Sequence, residues 1–321
     1  MIGVGIARCA ISIDLHEGEG TMGHTRDLVG YGGEPPHARW PGDARLAVNF
    51  VLNYEEGSEY SVANGDSFSE TTLTEAGPPR GIKTRDLGAE SLFEYGARAG
   101  FWRIHRAFTE RSLSLTLYGC AMAIEANPPA AAAIRKTDWD IAGHGWRWMN
   151  HFDLEQEEER ALIARTVASF QKSVGRRPYG WYCRYAPSVN TRRLLAEEGG
   201  FLYDSDSYAD DLPFWMKVAG RPHLVVPYSM ATNDQMFYRG NVAKADDWLQ
   251  MIRDAIDVLY REGASRPKMM SIGLHARIIG NPIRFVALER LLDHVLSLRG
   301  VWIARRQDIA RHWIETHPAL P

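Results

Sequence analysis

The residues best suited to chemistry stand together early in the chain, at Asn53-Tyr54-Glu55-Glu56-Gly57. They follow an apolar run, Leu46-Ala47-Val48-Asn49-Phe50-Val51-Leu52, that reads as a buried strand. Adjacent carboxylates are poor packing material, and in a parallel α/β protein the end of a strand is where reacting groups are usually placed. An ordinary acidic turn is the plain alternative. The same position, just past an apolar run, recurs at His144, at Tyr182 with Arg184, at Asp204 and Asp206, and at His275. A general base, a general acid and a partner for an oxyanion can be drawn from this set. Any one of them could be hydrogen-bonded scaffold; their convergence is what points to a site.

The elements that must position them follow a repeating pattern. A helix capped by Ser91 carries Leu92, Phe93, Tyr95, Phe101, Trp102, Ile104 and Phe108 at helical spacing, and Leu113 to Tyr118 alternates as a strand. An Ala-rich helix spans 121–134, and Trp139 to Ala142 is a short strand leading into Gly143-His144-Gly145. Asp153 and Gln156 form a capping box ahead of a helix over 154–174, whose glutamates at 155–159 suit its positive end and are read as structural. Strands at 180–183, 201–203, 224–227, 268–274 and 301–304 then alternate with helices at 191–198 (capped by Asn190), 246–261, 285–298 and 307–316. About seven β-then-α units without a composition break argue for one barrel-like parallel domain over 45–321. No Gly-rich phosphate fingerprint follows the first strand, which disfavours a doubly wound dinucleotide fold. Residues 1–44, rich in Gly, Pro and His, read as an arm packing on the barrel or on a neighbouring subunit, and 57–90 as a long loop of the kind that is usually functional or interface-forming.

Composition narrows the setting. Of 321 residues, 45% are hydrophobic and 24% charged, with a net charge of −3, so a nucleic-acid or anionic-membrane partner is not expected. Cys9, Cys120 and Cys183 are too far apart to frame a metal site or a disulfide set, which suits a reducing compartment. No apolar stretch is long enough to span a bilayer, and Arg8 interrupts the mildly apolar start. A cytoplasmic enzyme is the expectation. Ten Trp and thirteen Tyr suit an aromatic-lined pocket or a large subunit interface.

The order of these motifs resembles the polysaccharide deacetylase (NodB-homology) superfamily, whose members hydrolyse C–N bonds on a distorted (β/α)7–8 barrel. That family ends its first strand in Thr-Phe-Asp-Asp-Gly, where this chain has Asn53-Tyr54-Glu55-Glu56-Gly57. The resemblance gives Glu55 the role of catalytic base and Glu56 that of a metal ligand. His144-Gly145-Trp146-Arg147-Trp148 stands at the His-Ser/Thr-x-x-His motif, keeping the first ligand and replacing the second by Trp148. Gly273-Leu274-His275 matches the closing Leu-His motif and gives His275 the acid role. Arg176 to Gly180 imitates the third motif but precedes its strand; Trp181 to Ala186 is in register there, with Arg184 as its guanidinium.

Within the superfamily the chain is most similar to the bacterial purine-catabolic allantoinase group. Asp27-Leu28-Val29-Gly30-Tyr31-Gly32, Trp40-Pro41-Gly42-Asp43-Ala44-Arg45, Asn190-Thr191-Arg192-Arg193-Leu194 and Asp210-Asp211-Leu212-Pro213 add to the motifs above, so the likeness runs from about residue 26 to the end. That group opens a cyclic ureide without the usual deacetylase metal and is tetrameric. The chain departs from it at Cys183 to Val189, which leaves the substrate open.

A catalytic zinc generally has three protein ligands, and with Trp148 in place of a histidine only Glu56 and His144 are left. No cofactor is therefore expected, with a weakly held zinc on Glu56 and His144 as the alternative. The expected activity is hydrolysis of a small cyclic amide or ureide by Glu55 and His275 as base and acid, supported by Glu56 and His144. Arg147 or Arg184 would hold the substrate carbonyl, Trp148, Trp181 and Tyr182 (with Trp146) would wall in a flat ring, and Asp206 would contribute from its strand end. A metal-dependent N-deacetylase of an acetylated sugar and a non-catalytic metabolite binder are the other readings.

Overall fold

The computed structural model describes residues 26–78, 81, 83–240 and 242–320. Its central element is β1 (Leu46–Tyr54), buried on both faces along all nine residues. Leu46, Val48, Phe50, Leu52 and Tyr54 point under the surrounding helices, while Asn49, Val51 and Asn53 face inward, the two-residue period of a strand. The other strands are β2 (Thr116–Gly119), β3 (Asp140–Gly143), β4 (Gly180–Trp181), β5 (Tyr203–Asp204), β6 (Phe214–Val218), β7 (Arg221–Val225), β8 (Lys268–His275) and β9 (Val301–Ile303). They form one curled sheet in the order β6-β7-β5-β4-β3-β2-β1-β8, with β9 on the start of β1. Every pairing is parallel except the β6–β7 hairpin. This is the distorted α/β barrel expected from the alternation of elements. The hairpin departs from that alternation, because β6 is only partly buried and its mixed sequence carries no clear period.

The barrel does not close with a full strand. Beyond β8 the chain supplies a single parallel bridge, Asn233 to Gly273, bonded through Gly273 N to Thr232 O (3.0 Å) and Asp234 N to Gly273 O (2.9 Å). That short seam brings Asp234 alongside His275. Low in the barrel, Arg306 is fully buried, and no carboxylate among the described residues pairs with it. Its guanidinium donates to Asn49 Oδ1 (2.9 Å), Ser271 Oγ (2.6 Å), Ser205 Oγ and the Pro227 carbonyl (2.8 Å), so hydrogen bonds alone satisfy the charge.

The helices cover the outside: α1 (Leu87–Tyr95) and α2 (Phe101–Glu110), α3 (Ala121–Ala126), α4 (Pro128–Arg135), α5 (Gln156–Ser173), α6 (Thr191–Glu198), α7 (Met236–Arg239), α8 (Ala245–Glu262), α9 (Pro282–Ser297) and α10 (Arg306–Thr316). Three local expectations change. α1 begins at Leu87, capped by Asp86 through Ala89 N (3.0 Å), so Ser91 lies inside the helix with its hydroxyl on Gly88 O. α5 begins at Gln156, which leaves Asp153 outside and the capping box unformed. The Ala-rich helix is two, broken at Asn127, where Pro128 starts α4 and Asn127 caps it. Asn190 precedes α6 but makes no side-chain cap.

α1 and α2 run together through a wide π-type turn, Gly96–Gly100, which packs against the chain just after β8. A Cβ on Gly100 would lie 1.9 Å from the Ala276 carbonyl oxygen. Gly100→Ala gains about 1 kcal/mol of helix propensity, but a clash with backbone cannot be relieved by a rotamer change. We expect a net loss of about 1–3 kcal/mol, read as a lowered urea midpoint at constant slope.

Of the expected arm, residues 1–25 lie outside the described residues. Trp40 is buried beside Ala38, Ala44 and Trp313, with its indole N–H on Lys268 O (2.9 Å), and Tyr31 donates to Pro213 O (2.6 Å), so this stretch packs on its own barrel. No helix among the described residues is long and apolar enough to cross a membrane.

Candidate active site

Glu55 stands at the first position past β1, and the chain turns away at Gly57 with φ 94°. The two adjacent carboxylates separate as strand geometry requires. Glu55 enters a pocket at the C-terminal mouth of the barrel, while Glu56 points behind it. Glu55 Oε1 lies 3.3 Å from His144 Nε2 and 3.6 Å from His275 Nε2, and its Oε2 lies 2.8 Å from Arg277 Nη1. All four side chains are almost fully buried.

The rings are oriented from behind. His144, just past β3, has its Nδ1 2.7 Å from the Tyr182 carbonyl and stacks on the Tyr182 ring. His275, the last residue of β8, has its Nδ1 2.6 Å from Asp234 Oδ1; Asp234 Oδ2 accepts from His275 N (2.7 Å) and Ile279 N (3.1 Å). A carbonyl can only accept, and Asp234 accepts on every contact, so both imidazoles carry their Nδ1 proton. Each neutral ring would then aim a lone pair at Glu55 Oε1, an arrangement that calls for an additional proton. His275 is the ring suited to hold it. Burial disfavours its cation, but Asp234 and then Glu55 outweigh burial and raise its pKa. For Glu55, burial is likewise overcome by Arg277, His275 and His144, which hold the carboxyl well below the usual range. Glu56 is shifted the other way, raised by burial and by the neighbouring Glu55 against the pull of Arg277. The contacts thus favour the ionised form of Glu55 and the charged form of His275.

The pocket is small, with a cavity volume of about 20 Å³, and it opens to solvent. Leu73, Trp148, Tyr185 and Met230 give it apolar surface, and Asn53, Asn233 and Gln235 supply side-chain amides. The Tyr228 hydroxyl oxygen accepts from Asn53 Nδ2 (3.3 Å) and Asn233 Nδ2 (3.1 Å), which leaves its own proton free to donate. The space its hydroxyl uses exists because residue 273 is glycine; a Cβ there would lie 2.3 Å from it. Tyr185 holds a left-handed backbone at φ 60°, a strained conformation concentrated at functional sites.

The expected residues divide accordingly. Glu55, His144, His275, Trp148, Tyr182 and Arg184 line the pocket. Arg184 also pairs with Glu70 and lies 3.7 Å over the Trp148 ring, and its Nε is buried without a partner. Arg147 is turned away, bound to Asp66 and the Glu59 carbonyl. Trp181 is buried among Ile163, Cys183 and Leu195, and Trp146 packs beneath Arg165, so neither forms a wall. Asp206 accepts from Cys183 N (2.8 Å) outside the pocket, its pKa pushed up to about 7 by burial and by Asp204. Glu56 lies behind Glu55, bonded to Glu55 N (3.1 Å) and Arg277 N (3.2 Å). Asp234, Arg277, Tyr228 and Tyr185 were not singled out from the sequence. Asp234 follows no strand, and Arg277 stands two residues past the recognised His275.

The donor set does not fit the deacetylase metal. Glu56 is committed to Arg277, position 148 offers an indole, and a cation at the carboxylates would face the guanidinium already there. Among the described residues only His151, Glu159 and Cys183 bring three donor atoms within 4.8 Å of one another. That group is satisfied internally, since Glu159 accepts from Ser188 Oγ and Thr191 Oγ1 (2.5 Å each) and meets His151 Nδ1 at 3.2 Å.

Comparison with known proteins decides the family. The polysaccharide deacetylase pattern matches residues 84–203. A Schizosaccharomyces pombe protein named as a polysaccharide deacetylase is 39% identical over 92% of this chain and 99% of its own. The chain belongs to the polysaccharide deacetylase family. A Pseudomonas aeruginosa PAO1 crystal structure, described as a probable polysaccharide deacetylase, superposes with TM-score 0.88 at 47% identity, covering 92% of this chain and 100% of that one. The crystal structure of PuuE allantoinase gives TM-score 0.86 at 46% identity, covering 93% and 100%. This family member is an amidohydrolase of carbon–nitrogen bonds other than peptide bonds.

Proposed function

We propose that the protein opens a small cyclic amide or ureide, allantoin-like in size and polarity, with Glu55 and His275 as an acid–base pair. The observation that carries this is the placement of Glu55 Oε1 between two imidazoles at the bottom of a small pocket. The cavity of about 20 Å³ is far smaller than the usual ligand pocket of about 300–1,000 Å³, and a compact ring needs less opening of it than a polymer lying along a groove. The likeness to PuuE allantoinase at 46% identity supports the same substrate class.

In this reading water bound at Glu55 loses a proton to the carboxylate and attacks the ring carbonyl. The oxyanion is met by the Tyr228 hydroxyl or Arg184. The His275 imidazolium then protonates the departing nitrogen, and the ring opens. A carboxylate held as low as Glu55 is a weak base, which costs driving force for proton removal. The electrophile must compensate, and a ring imide or ureide carbonyl is more reactive than a sugar acetamide. His144 orients Glu55, and Glu56 acts from behind as a positioning group. Oligomeric assembly and a cytoplasmic setting belong to the same proposal, by likeness to the allantoinase group.

The test is a panel of hydantoins, allantoin, cyclic imides and N-acetylated sugars, followed with and without chelator. Ring opening unaffected by chelator is the expected result. Turnover confined to acetylated sugars, or abolished by chelator and restored by zinc, overturns the reading.

A further inference from the structure

We propose that Arg277 is the built-in cation of this site, taking the place of a divalent ion at the two carboxylates and keeping one out. The proposal deepens the function proposed above, but its test needs no substrate, so the two can fail separately. Burying adjacent carboxylates is costly unless a positive charge is buried with them. Arg277 supplies that charge, with Nη1 2.8 Å from Glu55 Oε2 and 3.3 Å from Glu56 Oε1. Its backbone N–H donates to the same Glu56 oxygen, and its Nε donates to Leu73 O (3.1 Å), which ties the long loop over the pocket.

The replacement at position 148 acquires a physical reason. Arg277 lies between two aromatic faces, 4.7 Å from the Phe93 ring centroid and 4.9 Å from that of Trp148. An indole is the best side-chain partner for a buried guanidinium, whereas a histidine in its place would offer a metal ligand. Trp148 thus serves two guanidinium groups, Arg184 at 3.7 Å and Arg277 at 4.9 Å, where a histidine would serve a metal. The surrounding backbone makes room for Arg277. A Cβ on Gly96 would lie 2.6 Å from Glu56 Oε1 and 2.9 Å from Arg277 N, so α1 can approach this closely only with glycine there. Arg277 does not line the pocket, which makes it a positioning residue that holds Glu55 ionised and aimed.

The experiment measures zinc bound per chain by mass spectrometry after dialysis against zinc and then buffer. Zinc is assigned to this site only where His144→Ala removes it, so that the group at His151, Glu159 and Cys183 cannot mimic the result. Wild type, Trp148→His, and Trp148→His with Arg277→Lys are expected to carry no zinc here. Trp148→His with Arg277→Met, similar in length but neutral, is expected to carry about one per chain. Stoichiometric zinc at this site in wild type or in Trp148→His, with Arg277 in place, overturns the proposal. So does a folded Trp148→His/Arg277→Met variant that stays zinc-free. If that variant does not fold, Trp148→His alone decides.

Discussion

Glu55→Gln is expected to lower kcat by about 10³-fold, within the range general acid–base groups supply, with the far-ultraviolet circular dichroism unchanged. The amide has nearly the same shape but cannot take a proton from water, and it removes the charge that both imidazoles and Arg277 face. Glu56→Gln is the informative comparison. Glu56 contacts the backbone of Glu55 and Arg277 and does not line the pocket, so its loss is expected to be nearer tenfold. Initial rates on whichever substrate the panel identifies would separate the two. Equal losses would mean that the carboxylates act as a pair, and activity within tenfold of wild type in Glu55→Gln would remove it as the base.

Asp234→Asn is expected to cost about 10²-fold in kcat/KM and, more tellingly, to move the alkaline limb of the pH profile to lower pH. The sign follows from the contacts. In the proposed mechanism His275 acts as an acid only while charged, and its pKa is raised because Asp234 and Glu55 outweigh the opposing effect of burial. Activity in the native protein is therefore expected at neutral pH and is expected to be lost as pH rises through that raised value. With Asn at 234 the leading negative partner is gone and burial pushes the imidazolium toward deprotonation, so activity fails earlier on the alkaline side. Rates measured between about pH 5 and 10 decide it. An unmoved alkaline limb would show that Asp234 only holds the loop, or that another group sets the limb.

Much of the site was legible in the sequence because strand ends are marked by an abrupt change in residue type. Glu55, His144, Arg184 and His275 each interrupt or follow an apolar run, and the barrel brings those ends together. The aromatics were less legible. Trp148, Trp181 and Tyr182 look alike as candidates for a wall, yet Trp181, the last residue of β4, falls on its outward face and Tyr182, one residue later, falls inward. Arg147 and Arg184 were equal candidates until Asp66 claimed the first. Helix starts were mistaken for a comparable reason, since several polar residues could cap and only backbone geometry selects one.

By itself the sequence determined the alternating barrel, the rim on which the candidate groups lie, and the absence of a second histidine at position 148. These are properties of local period and residue type. Only the tertiary structure decided that Asp234, on a one-bridge seam, orients His275, that Glu56 backs Glu55 instead of joining it, and that Arg277 contacts both carboxylates. Those choices depend on contacts between segments up to 221 residues apart. Their energies come from burial and charge pairing that exist only once the barrel has formed.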